Sequence, residues 1–398
     1  MAIDKEYQNC IAVLTAALFR REQRYDITPR LFEIAKKHSI MPMICGELLR
    51  SKKIDKATKQ ICREYVLSSM LNNERLIRIQ NDLVGLLVEY GIPYAVLKGC
   101  SVAMLYPEPD MRPLGDIDIL IDAGKKTAVD QLMIENGYRY EHEQAHHICY
   151  EKDGAHIEIH VSLSIFFGKR REPYVMKASK EAVDHTIEVN IEKGHIRFRM
   201  LELKYQLLSL LTHMERHMQD EGIGLRQLCD WAVTVDRNRQ RVTSEDVLFL
   251  NNCGLTRFAA VITKACERYL GLDAFDWGIP VEDDVVEMMI EEICDSGNIK
   301  NISIERSLSH YWASGANRTG SSRISLMGLY YKNIMRKALD KHPLLEKMPF
   351  AFPVFSIIYP ARWWIRSLLG KREKVNLRHV ILMGKKRKQL YDRLRLYE

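Results

Sequence analysis

Asp116-Ile117-Asp118-Ile119-Leu120-Ile121 is the stretch whose reading decides the fold. Acid and isoleucine alternate with the two-residue period of a strand, in which successive side chains leave opposite faces. Asp116 and Asp118 therefore share one face, and Ile117, Ile119 and Ile121 share the other, turned to a core. Downstream, His156-Ile157-Glu158-Ile159-His160-Val161 repeats the pattern. His156, Glu158 and His160 lie on one face, and Ile157, Ile159 and Val161 on the opposite one. If the two strands are neighbours, three carboxylates converge on one patch. Like charges held together repel, and a divalent cation removes the repulsion. Magnesium prefers carboxylate and phosphate oxygens, and two such ions about 4 Å apart bind the attacking and leaving oxygens of an in-line displacement at phosphorus. Asp116 and Asp118 are thus expected to hold the ions that grip a triphosphate. Glu158 is expected to share the second ion and to draw the proton from an acceptor hydroxyl.

The segment ahead of the acids fits the same chemistry. Ile92-Pro-Tyr-Ala-Val-Leu97 is a short apolar run, read as a buried strand. Lys98-Gly99-Cys100-Ser101 then opens a predicted helix through Tyr106, stopped by Pro107. A glycine at a strand-to-helix turn lets backbone N–H groups approach phosphates, where the helix dipole favours anions. Lys98 adds a point charge and Ser101 a hydroxyl. Arg112 is a further candidate for the triphosphate.

In this order, strand, Lys98-Gly99, helix, Tyr106-Pro107, Arg112, Asp116-Ile-Asp-Ile-Leu120 and His156-Ile-Glu-Ile-His160, the chain resembles the uncharacterised nucleotidyltransferase family of the polymerase-beta superfamily. Bacterial members of that family often accompany surface-polysaccharide genes. The resemblance implies an α/β (α+β) fold, a small mixed sheet flanked by helices, with an NTP as donor and magnesium as cofactor. It carries over Lys98, Gly99, Arg112, Asp116, Asp118 and Glu158. The wider superfamily usually has Gly-Ser where this chain has Lys98-Gly99, and the family often has Ser where this chain has Gly115. The motifs span roughly residues 90–165, and Gly224-Leu-Arg-Gln-Leu-Cys-Asp230 is also similar.

The 398 residues suggest two or three domains. A hydrophobic fraction of 46% indicates a globular chain with real cores. The nine cysteines are scattered and never form Cys-x-x-Cys, which argues against a zinc ribbon or a disulfide framework and for a reducing cytoplasm. The N-terminal Met-Ala-Ile-Asp-Lys-Glu-Tyr does not read as a secretory signal, and no apolar run reaches the roughly 18 residues of a membrane span. The net charge of +7 is uneven: residues 361–398 hold twelve Lys or Arg against three acids, a local +9 that leaves −2 for the rest.

Four regions are expected. Residues 1–89 read as helices, and 90–200 as the nucleotidyltransferase core, with strands at Tyr94–Leu97, Asp116–Ile121, Tyr138–Glu141, His147–Glu151 and His156–Val161. That core also holds a helix over Lys125–Asn136 ended by Gly137, and a hairpin of Ile187–Asn190 with Ile196–Met200. Residues 201–340 read as helices forming an acceptor or lid domain, with a loop at Ser314–Ser322. Residues 341–398 are an aromatic and basic segment broken by Pro343, Pro349, Pro353 and Pro360. This last segment is read as a packed helix with a solvated basic face, as an attachment to an anionic membrane surface, or as a nucleic-acid contact, in that order.

Smaller signals complete the candidate cleft. His213 and His217 share a helix face at i, i+4, but the acid between them, Glu215, is misplaced for a zinc-protease helix. They are read as histidines that cap a cleft or pack beside the core, ahead of a metal pair, or as groups closing over the nucleotide or acceptor. Arg226 and Asp230 are at i, i+4, either a helix-surface ion pair or cleft residues. His156 and His160 either orient Glu158 or bind phosphate, or are plain exposed histidines. His146 and His147 carry no signal. The reading is a magnesium-dependent enzyme, peripheral to the membrane or cytoplasmic, moving NMP from an NTP to an acceptor hydroxyl such as that of a sugar or glycan precursor. Modification of protein or RNA in a toxin–antitoxin setting, and an inactive nucleotide-binding or membrane scaffold, stand as alternatives.

Overall fold

The computed structural model describes residues 3–51, 54–143, 146–164, 171–191, 196–220, 222–297 and 376–396, with the single positions 305, 306, 309, 313 and 358. The aromatic stretch 343–370 apart from Ile358, the Ser314–Ser322 loop and the Glu192-Lys193-Gly194 link lie outside the described residues.

Seven strands form one mixed sheet in the order β3-β4-β5-β2-β1-β7-β6. They are β1 (Tyr94–Val96), β2 (Ile117–Ile121), β3 (Arg139–Glu143), β4 (His147–Lys152), β5 (Ala155–His160), β6 (Thr186–Ile191) and β7 (Ile196–Leu201). Every strand expected from the alternation is present, with ends shifted by one or two residues. The important neighbours are β2 and β5, which run parallel with Asp118 opposite Glu158. Asp116 lies one residue before β2 begins. The β4–β5 hairpin turns on Asp153-Gly154, both at positive φ (50° and 73°), the backbone that a tight two-residue turn demands and that Asp-Gly accepts readily. This turn fixes the register that sets His147 opposite His160 and Cys149 opposite Glu158.

Helices cover both sides. In chain order they are α1 (Lys5–Phe19), α2 (Pro29–Lys37), α3 (Met41–Ser51), α4 (Lys56–Glu89), α5 (Gly99–Ala103), α6 (Lys126–Glu135), α7 (Glu172–Ala182), α8 (Leu203–Asp220), α9 (Leu225–Asn238), α10 (Ser244–Asn252), α11 (Thr256–Ala265), α12 (Asp283–Ser296) and α13 (Leu377–Leu394). Local chemistry explains their ends. Thr28 caps α2 ahead of Pro29, Asp55 accepts from the N–H groups of Ala57 and Thr58 at the start of α4, and Gly137 follows α6 at φ 78°. The helix expected through Tyr106 stops at Ala103.

The isoleucine face of the sheet packs on α4 and α6. Ile117, Ile119, Ile121, Ile157 and Ile159 are buried with Leu76, Ile79, Leu83, Leu87, Val129 and Leu132, each such side chain contributing about 1.5–3 kcal/mol. The opposite face joins a larger core in which α1, α2 and α3 pack with α8, α9, α11 and α12. The N-terminal helices thus share a core with the helices that follow the sheet, while the second half of α4 belongs to the sheet's own core. In the described C-terminal part, α13 is a packed helix. Val380, Leu390, Tyr391 and Leu394 are buried, and so is Arg387, whose guanidinium meets Glu292 and the Met218 carbonyl rather than solvent. Among the described residues no helix is long and apolar enough to cross a membrane.

Candidate active site

The acid face of β2 and β5 opens into a cleft of about 730 Å³ whose other walls come from α8, α9 and the turn after β1. Asp116, Asp118, Glu158, Lys98, Gly99, His156, His213, His217, Arg226, Arg112 and Asp230 all line it. The helix carrying His213 therefore reaches the acids.

Of the three acids, Asp118 is the most enclosed, 2% exposed. Lys98 Nζ and His160 Nε2 both meet its Oδ1 at 2.8 Å. Burial alone would raise its pKa, but Lys98 and His160 outweigh that and hold it well below the usual carboxylate range. Glu158 is likewise held low. Burial pushes it up, and the approach of His160 with the charge of Lys98 reverses the sign. His160 Nε2 lies 3.2 Å from Glu158 Oε2 but directs its bond at Asp118, so that buried carboxylate oxygen accepts no hydrogen bond among the described residues. Asp116 behaves oppositely. The neighbouring charge of Asp118, and then burial, push it above its ordinary value, and no described residue hydrogen-bonds its carboxylate. Three acids thus meet with one lysine among them.

Lys98 carries the sharpest backbone strain at the site, with φ 34° and ψ −124° in a non-glycine residue. Such conformations cost on the order of 1–3 kcal/mol and persist where a side chain is needed. Glycine would adopt this backbone freely, so what the position keeps is the ammonium on Asp118. Gly99 has no comparable requirement, because a Cβ there would sit 3.6 Å from the Asp116 carbonyl, an ordinary contact.

Two expected phosphate groups turn inward. Ser101 is buried and its hydroxyl donates to the Lys98 carbonyl at 2.7 Å, holding the turn. Arg112 commits its fork to Asp230: Nε donates to Oδ1 at 2.8 Å and Nη2 to Oδ2 at 2.7 Å, with Tyr106 donating to Oδ1 at 2.6 Å. Asp230 is therefore no surface partner of Arg226. The Arg112–Asp230 bond instead ties α9 to the loop that delivers Asp116. Arg226 faces the acids: a Cβ built on Gly115 would lie 4.0 Å from its Nη1, and its charge pulls the Asp116 pKa down.

The histidines divide by environment. Burial, then the charge of Lys98, drives His213 well below its ordinary value, and burial with Arg216 brings His217 down to about 3. Both stay neutral at pH 7 and offer hydrogen bonds rather than charge. Their rings touch edge to face at 4.3 Å. His156 is partly exposed and sits 3.1 Å from Glu141 and 3.7 Å from Glu158. Sequence reading missed His146, His147, Cys149 and Arg216. Burial holds His146 at about 2 and His147 at about 4. Arg216 meets His146 Nε2 at 3.1 Å and lines the cleft. The signals were present: His147 and Cys149 alternate with Ile148 on β4, and Arg216 shares the face of His213 at i, i+3.

The residues present suit a divalent cation. Asp118, Glu158 and His160 offer three donor atoms within 4.8 Å of one another, the acids outnumber their cationic partners, and a buried Glu158 oxygen lacks a donor. Across the cleft, Arg216 and Arg226 supply positive charge for an anion, and Lys98 stands among the acids.

The family described as "Uncharacterised nucleotidyltransferase" matches residues 28–271. No curated protein matches. Among solved structures, the chain is similar to an antigenic nucleotidyltransferase-like protein from Paracoccidioides brasiliensis, at 16% identity over 50% of this chain and 94% of that one, with a TM-score of 0.30. So remote a likeness says nothing about substrate.

Proposed function

The chain belongs to this uncharacterised nucleotidyltransferase family, and on that premise we propose that it transfers a nucleoside monophosphate from an NTP to an acceptor hydroxyl, releasing pyrophosphate. The observation that carries the reading is the register of β2 on β5. It sets Asp118 against Glu158 beside Asp116, in a cleft whose far wall is cationic. Asp116, Asp118 and Glu158 would hold divalent cations, magnesium in the sequence reading, which when bound neutralise phosphate charge and lower the pKa of an attacking hydroxyl.

The chain's own groups do the remainder. Arg226 and Arg216, on neighbouring helices, receive the phosphates in the place first expected of Arg112. Lys98 holds Asp118 ionised, and its ammonium stands close enough to share between carboxylate and phosphate. Glu158, held ionised, accepts the acceptor's proton. Neutral His213 and His217 hydrogen-bond base or acceptor. A sugar or surface-glycan hydroxyl remains the acceptor class we favour, with attachment to an anionic surface through the basic C-terminal region as a secondary proposal.

The test is calorimetry of each of the four NTPs with magnesium or manganese, together with pyrophosphate release in the presence of cell extract. Wild type is compared with the Asp116→Asn, Asp118→Asn double variant. Metal-dependent binding of one NTP, lost in the double variant, is the expected result. Binding by neither protein, or equal turnover by both, removes the proposal.

A further inference from the structure

Magnesium sites are built from oxygen, yet His160, buried against Asp118, brings a ring nitrogen to these carboxylates. We propose that Asp118, Glu158 and His160 form a mixed oxygen–nitrogen ligand set for a first-row transition-metal dication, with His160 Nε2 bound directly to the ion. The inference rests on the reading of the carboxylates as a metal site and specifies which ion they select.

The geometry is already that of a ligand set. The three donor atoms lie within 4.8 Å of one another. His160 Nε2 stands 3.2 Å from Glu158 Oε2 and 2.8 Å from Asp118 Oδ1. Donors bound to one ion at bond lengths near 2.0–2.2 Å are roughly 3.0–3.4 Å apart, so little movement is required. The side chains of Asp118 and His160 are 2% and 5% exposed, which limits the rotamers they lose on binding. Glu158 Oε2 is buried without a hydrogen-bond donor, the state expected of an oxygen reserved for a cation. Lys98 also meets Asp118 at Oδ1, which holds that oxygen in place. On binding, Nε2 offers its lone pair and the hydrogen of the neutral ring is carried on Nδ1.

Two neighbouring clusters are weaker candidates. His146, His147 and His160 also group within 4.8 Å, but His147 Nδ1 is 2.9 Å from His146 Nε2 and the Arg216 guanidinium is 3.1 Å from that same nitrogen. That all-histidine cluster has no carboxylate of its own to offset the Arg216 charge, whereas the favoured corner sets two acids against Lys98. The His147, Cys149 and Glu158 group contains the 3.9 Å His147–Glu158 contact, and it shares Glu158 with the favoured corner. Imidazole in the ligand set raises affinity for transition ions along the Irving–Williams series and does nothing for magnesium.

The alternative is that His160 only donates a hydrogen bond to Asp118 while an all-oxygen set takes magnesium. Removing a supporting histidine can itself weaken a metal site by 10- to 100-fold, so affinity alone does not separate the two. The experiment is pulsed electron paramagnetic resonance of the full chain loaded with manganese, read for nitrogen hyperfine coupling, together with competition by magnesium. The expected result is a histidine nitrogen coupling that changes when histidine is labelled with nitrogen-15 and vanishes in His160→Gln. Manganese affinity in that variant should fall at least about tenfold, with magnesium affinity unchanged. The isotope measurement needs no variant, so a poorly folding His160→Gln does not blunt it. Bound manganese without nitrogen coupling, with metal-dependent NTP binding intact, overturns this inference and leaves the proposed function standing. A coupling that survives His160→Gln assigns the nitrogen elsewhere and also overturns it. Failure of either ion, or of any metal–NTP complex, to bind overturns both.

Discussion

Glu215 and Asp118 are both acids enclosed by the protein, and they are treated in opposite ways. Glu215 is fully buried, and Arg171 grips both of its oxygens, at 2.8 and 2.6 Å, while also donating to the Cys253 and Leu396 carbonyls. Asp230 is held the same way by Arg112, and Glu292 receives Arg306 and Arg387. In each case the acid meets at least one guanidinium and the geometry joins distant segments. Around Asp118 the account does not balance. Two further carboxylates crowd in, Lys98 is shared, Asp116 has no hydrogen-bonding partner among the described residues, and one oxygen of Glu158 is left without a donor. Structural charge in this protein is satisfied from within. The cleft is left in electrostatic conflict that a ligand of opposite charge would relieve, which is how functional sites depart from local consistency.

The largest effect should come where the two treatments meet. Asp118→Ala removes a proposed metal ligand and also the partner of Lys98 and His160. Turnover should fall on the order of 10³-fold or more, and thermal melting should show a loss of stability as well. Retained turnover in a folded Asp118→Ala would dissolve the contrast. Next, Glu215→Ala leaves the Arg171 guanidinium buried without its acid and should cost about 3–5 kcal/mol in urea unfolding. Metal-dependent NTP binding per folded molecule should stay at the wild-type level, because this pair lies away from the cleft.

A third test uses a balanced group that titrates. His38 Nδ1 accepts from the Leu225 N–H at 3.1 Å, serving the start of α9 from another helix. Burial, then Lys37, brings its pKa from 6.5 to about 3. The neutral ring is favoured in the fold, so its contribution is full above the unfolded value and is lost as pH falls toward the folded one. Between pH 6.5 and 5 the loss is about 2 kcal/mol. His38→Asn keeps an acceptor near Nδ1 and should flatten the acid limb of the stability curve by that amount in urea melts. An unchanged pH slope would show that His38 charges freely in the fold.

The sequence carried the sheet and its acids because alternation is a local signal, and Asp116, Asp118 and Glu158 fall where it puts them. It did not carry the destiny of Arg112. An arginine just ahead of two acids reads as a phosphate ligand, and only the fold brings in Asp230 from α9 to take both arms of its fork. Partners so far apart in the chain leave no periodic trace. His147 and Arg216 are a different case, since the Asp153-Gly154 turn and the i, i+3 spacing from His213 would have delivered both. The shared core of α1, α2 and α3 with the later helices was illegible for the same reason as Arg112: amphipathic stripes announce burial without naming what they bury against.

The smallest expected effect separates Asp116 from Asp118 most cleanly. Asp116 has a raised pKa, first because of Asp118 and then because of burial. For an acid raised in the fold, the stabilising contribution belongs to the protonated form. It is fully present below the unfolded value and is lost as pH rises through the folded one. Asp116→Asn imitates that protonated form at every pH. In chelator, the variant should therefore melt no lower than wild type at pH 7, and higher by about 0.5–1 kcal/mol if the repulsion is fully relieved. The difference should shrink as pH falls and the wild-type carboxyl is protonated too. The same variant should lose metal-dependent NTP binding at pH 7. A residue whose removal leaves stability intact while binding disappears is placed for a ligand and not for the fold. If Asp116→Asn instead melts lower at pH 7, the carboxylate has a structural partner and the cleft's imbalance is smaller than its charges imply.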